Sequence, residues 1–201
     1  AATRLYRLGL PVVLGPWNGN LGTPKGFRAL LRADSPWLYP IRHLGRVADA
    51  LIGGTRHASM ILTATEATLA GIPRSYRDRC VAMLENGVEP ETFVPTPWPA
   101  PPQPASSAEE AEPLRLVFVG RLVPFKGVGL LLAALARLKV QVKVPLRLRI
   151  IGDGPMAEEW RAESERLGLQ AEVSFAGALP APAVAAEIAA AHCFCLPSVR
   201  E

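Results

Sequence analysis

Apolar positions along this chain gather into short continuous runs, each followed by a Gly, Pro or Asn turn and then by a stretch of helical spacing. Continuous apolar runs suit strands buried on both faces, whereas apolar residues recurring at i, i+3 and i+4 suit one side of a helix. Before residue 95 the runs are Pro11–Gly15 (PVVLG), Ser59–Thr63 (SMILT) and Cys80–Leu84 (CVAML). Between them, Arg42–Ile52 brings Leu44, Val47, Ala48, Leu51 and Ile52 to one helical face and is closed by Gly53-Gly54. Glu66–Ala70 reads as a short helix stopped by Gly71-Ile72-Pro73.

After residue 112 the alternation is cleaner. Strands are expected at Leu114–Val119, Leu146–Ile151, Ala171–Phe175 and Cys193–Leu196, with helices over Gly127–Leu138, Met156–Leu167 and Ala183–Ala191. Strands alternating with helices imply right-handed crossovers and a parallel sheet covered on both sides, an α/β architecture. Separating the two halves, Pro95–Glu112 (PTPWPAPPQPASSAEEAE) has prolines that remove backbone donors and little to bury. The expected organisation is a first α/β unit over 1–94, a Pro-rich linker over 95–112 and a second unit over 113–201.

With 201 residues, 49% of them hydrophobic, the chain can build a real core, which excludes disorder throughout. No apolar run approaches the roughly 18 residues of a spanning helix, and no signal-peptide pattern opens the chain, so a cytoplasmic location is expected. The chain begins at Ala1 without Met and stops at Glu201 just past an apolar strand and a turn, as an internal fragment would. Three cysteines make no closed disulfide set, and Cys193-Phe194-Cys195 is one residue too tight for C-x-x-C chemistry, so buried strand cysteines are expected. Charge is uneven: 11 basic and 4 acidic side chains over residues 1–84, against 11 and 14 over 85–201.

In open parallel sheets a ligand sits beyond the carboxyl ends of the strands. There, Gly120-Arg121-Leu122-Val123-Pro124-Phe125-Lys126-Gly127 sets an Arg and a Lys at the mouth of the sheet, ahead of a helix N-terminus. Such a pair can clamp a diphosphate, and it can equally be a solvated basic loop; the residues alone leave both open. Gly152-Asp153-Gly154-Pro155 is a sharp turn with proline at the first helical position. It is neither G-x-G-x-x-G nor a P-loop, which argues against dinucleotide oxidoreductases and P-loop nucleotidases. Phe175-Ala176-Gly177-Ala178-Leu179 offers backbone groups to a base edge or is a plain loop, and Ser198 and Glu201 follow the last strand. His43, His57 and His192 suit packing or the surface, while Trp17 and Trp37 suit either the wall of a ligand groove or, more often for an aromatic beside a turn, a packing anchor. Lys25, Arg28, Arg32, Arg42 and Arg46 are compatible with an anionic membrane surface, a phosphorylated lipid or an ordinary charged helix face. Nucleic acid binding lacks both interleaved aromatics and a recognition motif.

The series GRLVPFKG, IGDGPMAEEW, VSFAGAL and CLPSVRE, in that order over residues 120–201, resembles the donor-binding domain of family 4 retaining glycosyltransferases of the GT-B fold. Upstream, VVLGPWNGN, ILTATEAT and LENGVEPETF resemble the later half of that family's acceptor-side domain. The resemblance implies two Rossmann-like parallel-sheet domains facing a cleft, both incomplete here, and transfer of a sugar from a nucleotide diphosphate donor to an unknown acceptor with retention. It gives Arg121 and Lys126 the donor diphosphate and Glu201 the donor sugar, as the first carboxylate of an E-x7-E motif. Gly120, Gly152, Asp153, Gly154, Gly177, Leu179 and Ser198 fall in the donor pocket, and Gly15, Asn18 and Gly19 in a glycine-rich acceptor-side loop, with Asn20 where relatives usually have Gly. No metal or other cofactor is expected, since a donor-side Arg/Lys pair can stabilise the leaving diphosphate and no DxD motif is present. Alternatives are a nucleotide-sugar epimerase of the same architecture and a non-catalytic binding module; the fragment alone is expected to be inactive.

Overall fold

A computed structural model describes residues 3–19, 26, 38–102 and 111–199. They belong to two compact units, one within Ala1–Gly87 and the other within Val88–Val199.

In the first unit, β1 (Val13–Trp17), β2 (Met60–Thr63) and β3 (Cys80–Ala82) form a parallel sheet in that order, with Val13 opposite Met60 and Ile61 opposite Cys80. Between β1 and β2 lie α1 (Leu38–Ile52) and the short α2 (Gly54–His57); α3 (Glu66–Ala70) and a 3-10 segment, Arg74–Arg79, lead to β3. Helix α1 starts four residues before the expected Arg42. Pro40 falls in its first turn, where backbone N–H groups have no intrahelical partner, so the proline does not delay the start. Leu14, Ala58, Ile61 and Ile72 form the core, with Val12, Trp17, Tyr76 and Cys80 packed around them. Strand β3 stops at Ala82 rather than Leu84; the Met83 amide still donates to the Thr63 carbonyl at 2.9 Å, but Met83 and Leu84 are exposed.

The second unit holds β4 (Leu114–Val119), β5 (Leu146–Ile151), β6 (Val173–Gly177) and β7 (Cys193–Phe194), all parallel in the order β6-β5-β4-β7. The crossovers are α4 (Val128–Lys139), α5 (Ala157–Arg166) and α6 (Ala181–Ala190). Alternation along LRLVFV divides the layers. Leu114, Leu116 and Phe118 pack with Leu132 and Leu135 of α4 and Trp160 of α5, while Val117 and Val119 pack with Val184 and Ile188 of α6. Phe118, Leu148 and Ile150 are fully buried, each contributing about 1.5–3 kcal/mol, so the sheet is the rigid base on which its end loops stand.

Strand β6 lies two residues beyond its expected place. After α5 the amides of Glu172 and Val173 both donate to the Leu169 carbonyl, at 3.0 and 2.9 Å, which buries Leu169 and consumes Ala171 in a turn. Strand β7 is shorter than expected, although the Cys195 amide donates to the Val117 carbonyl at 2.7 Å and continues the pairing. Cys193 is exposed, correcting the expectation of buried strand cysteines: among the described residues β7 is an edge strand, and only Cys80 and Cys195 are half-buried. Residues 95–102 have no regular secondary structure, and 103–110 lie outside the described residues. Glu91–Trp98 run beside α6, bordering a groove of about 560 Å³ with Pro182, Ala185 and Ala189.

Candidate functional site

Loops after β4, β5, β6 and β7 are knitted together by backbone hydrogen bonds at the carboxyl end of the second sheet. The Gly120 amide donates to Ile151, Leu122 to Asp153, Met156 back to Leu122, and Gly152 to Gly177, all at 2.8–3.1 Å. From the last strand, Val199 donates to the Phe125 carbonyl at 2.9 Å. Gly152 (φ 132°) is required by close approach, because a Cβ there would lie 2.0 Å from the Gly120 carbonyl oxygen.

This knitting explains the shape of the basic loop. Leu122, Val123 and Pro124 are buried and act as a plug under the rim, with Pro124–Lys126 closing as one 3-10 turn ended by Gly127 in the left-handed region. Either side of the plug, Arg121 is exposed and Lys126 half-buried, so both cations belong to the rim rather than to the core. The Lys126 ammonium lies 5.9 Å from the centroid of the Phe125 ring. Among the described residues Arg121 has no ion pair, leaving its fork available to an anion.

Gly120, Arg121, Lys126, Gly152, Asp153, Gly154, Gly177 and Ser198 thus all come to this rim. The Asp153 carboxylate accepts the Gly154 amide at 2.7 Å, so it shapes its own turn. Leu179 packs toward α6 with Val117 and Ile151, and so reaches the rim only partly. Ser198 Oγ is buried and has no hydrogen-bond partner among the described residues, a polar group at the carboxyl end of β7 left to be satisfied. Glu201 and Asn20 lie outside the described residues, as do Lys25, Arg28, Arg32 and Trp37. His57 stacks on Tyr6 at 4.3 Å, and His192 Nδ1 accepts the Arg115 amide at 2.9 Å, both packing roles. No three His, Cys, Asp or Glu side chains cluster as a metal site among the described residues, and no helix there is long and apolar enough to cross a membrane.

In the first unit, Asn18 and Gly19 follow the same rule just beyond the carboxyl end of β1, whereas Gly15, expected in that loop, lies inside the strand, where a Cβ would come 2.5 Å from the Leu62 carbonyl oxygen. Asn18 Nδ2 donates to Glu85 Oε1 in a short contact, and Gly19 is held by the Thr68 side chain. Sequence reasoning passed over Glu85 and Thr68. The one sequence signal that bears on Thr68 is its place three residues after Thr65, a residue type suited to an N-cap.

Two α/β units with parallel sheets, the second with glycine-shaped loops and a basic pair at its carboxyl rim, have the fold of the GT-B type of α/β protein. Anabaena HepE, solved with UDP and glucose, matches 96% of this chain and 48% of its own length, with a TM-score of 0.60 at 19% identity, a likeness of fold. Residues 100–201 match the family of glycosyl transferases group 1, and the chain belongs to that family. WcaL of Escherichia coli K12, assigned to colanic acid biosynthesis as a glycosyltransferase, is 34% identical over 119 residues, 59% of this chain and 27% of that protein. The D-inositol 3-phosphate glycosyltransferase of Kribbella flavida is 32% identical over 130 residues, 60% of this chain and 30% of its own length. The chain spans less than a third of the length of these curated relatives.

Proposed function

We propose that this chain is the donor-binding part, with a portion of the acceptor side, of an enzyme that transfers a sugar from a nucleoside diphosphate to an acceptor with retention of configuration. The observation that supports it most is the rim loop in which a buried Leu122–Pro124 plug holds Arg121 and Lys126 at the carboxyl end of a parallel sheet. As the glycosidic bond breaks, negative charge grows on the departing diphosphate. An Arg fork and an ammonium held at that place lower the barrier by countering that charge, and they do so without a metal. In this reading the Ser198 hydroxyl, buried and unpartnered among the described residues, turns to a donor oxygen when the donor binds, and the loop beginning at Gly177 borders the base. Family membership and a neighbour solved with UDP and glucose favour a UDP-sugar as the first donor to try. The basic excess over residues 1–84 fits a cytoplasmic enzyme touching an anionic membrane surface, where a phosphorylated lipid acceptor would lie.

The test is Arg121→Ala with Lys126→Ala in the whole protein. UDP binding measured by calorimetry, and turnover over a panel of nucleotide sugars, should both fall, turnover by several kcal/mol in transition-state stabilisation. Unchanged binding and turnover would remove the clamp.

A further inference from the structure

The hydroxyl of Thr68 is saturated, and the direction of each of its bonds can be derived. Thr68 is 5% exposed and sits in α3, yet its Oγ meets Gly19, 49 residues earlier, twice: it accepts the Gly19 amide at 3.1 Å and donates to the Gly19 carbonyl at 2.9 Å. Its single proton is then committed to Gly19. Thr65 Oγ, 2.9 Å away, must therefore be the donor to Thr68 Oγ, while itself accepting the Thr68 amide at 3.1 Å as the helix N-cap. One donated and two accepted bonds leave the Thr68 hydroxyl no spare capacity, so it cannot act on a ligand directly. Both polar groups of one glycine, two residues past β1, are instead tied to a single buried side chain in the first turn of α3. The chain at Trp17 is fixed separately, since the Ala64 amide donates to the Trp17 carbonyl at 2.9 Å.

We infer that Thr68 is a positioning residue that sets the conformation of the Asn18–Gly19 loop, with Thr65 orienting its hydroxyl. Its effect on chemistry rests on the reading above, that this loop serves the acceptor side. Valine has the shape of threonine without the hydroxyl. Thr68→Val would leave the Gly19 amide and carbonyl and the Thr65 hydroxyl without their partner, whereas Thr68→Ser keeps all three bonds.

The experiment compares whole protein, Thr68→Val and Thr68→Ser. Amide hydrogen exchange should become at least tenfold faster at Gly19 in Thr68→Val and stay unchanged at Leu69, whose amide bond to Thr65 reports the integrity of α3. Acceptor-dependent release of UDP from UDP-glucose, with a lipid and glycan extract of the source cells as acceptor, should fall about tenfold, while UDP affinity by calorimetry holds. Thr68→Ser should restore both readings. Unchanged exchange at Gly19, or equal acceleration at Leu69, overturns the positioning role. Faster exchange with unchanged release overturns its link to transfer. Wild-type protein that binds no UDP and releases none would instead sink the transferase reading, and the exchange data would still decide the positioning role of Thr68.

Discussion

The carbonyl oxygen of Pro197 occupies the place where a side chain on Gly127 would begin: a Cβ there would lie 2.3 Å from it. Gly127 also has φ 71°, so two separate constraints bear on one residue that joins the basic loop to α4 and to the segment after β7. Gly168 separates them, having φ 67° but nothing within 4 Å of its Cβ position. Gly168→Ala should cost about 1–2 kcal/mol, the left-handed penalty alone, and Gly127→Ala at least about 3 kcal/mol, because the obstacle is backbone. Urea unfolding monitored by tryptophan fluorescence measures both; equal costs would mean that the contact with Pro197 yields freely.

Ser198→Ala should separate folding from binding. Its buried Oγ has no partner among the described residues, so removing the hydroxyl should leave stability unchanged or raise it by about 1 kcal/mol. UDP affinity, if this hydroxyl meets the donor, should fall about fivefold to tenfold. A clear loss of stability with unaltered affinity would make Ser198 a structural residue.

Why some of this was legible in advance and some not follows from what each feature depends on. Strands β4 and β5 showed themselves because Leu114–Val119 and Leu146–Ile151 are apolar on the positions that face α4 and α5, and the basic pair could be placed at a rim because the rim follows the strand. Strand β6 was misplaced because the polar and apolar residues of AEVSF do not reveal that Leu169 would be buried first and close a turn over Ala171. Burial of Cys193 failed as an expectation because exposure at a sheet edge depends on strand order, which no local pattern contains. Thr68 and Glu85 were missed for the same reason: their partners, Gly19 and Asn18, are 49 and 67 residues away.

Arg121→Lys tests whether a fork or only a charge is needed. Arg121 is exposed and, among the described residues, unpaired, so the change should leave stability within about 0.5 kcal/mol. A point charge cannot make two parallel bonds to a phosphate, and UDP affinity should fall about tenfold. Affinity retained in full would show that the loop supplies charge without geometry.

Cys195 gives a prediction in pH. Burial pushes its thiol up to about 11, and the neighbouring Cys193, through its charge and then its hydrogen bond, pushes the same way. An unfolded thiol titrates near 8.5, so the native state holds its proton over a range in which the unfolded state releases it. Stability from this difference is complete below the unfolded value and is lost as pH rises through that range toward the folded one. Unfolding free energy should therefore decline between about pH 8.5 and 11, and less steeply in Cys195→Ala, where the titrating thiol is gone. Cys195 is only partly buried, which keeps the effect small, so the comparison of slopes is the sensitive measurement. Identical slopes in the two proteins would show that Cys195 titrates as freely folded as unfolded, and that the carboxyl end of β7 is wetter than its packing against the α4 and α5 layer implies.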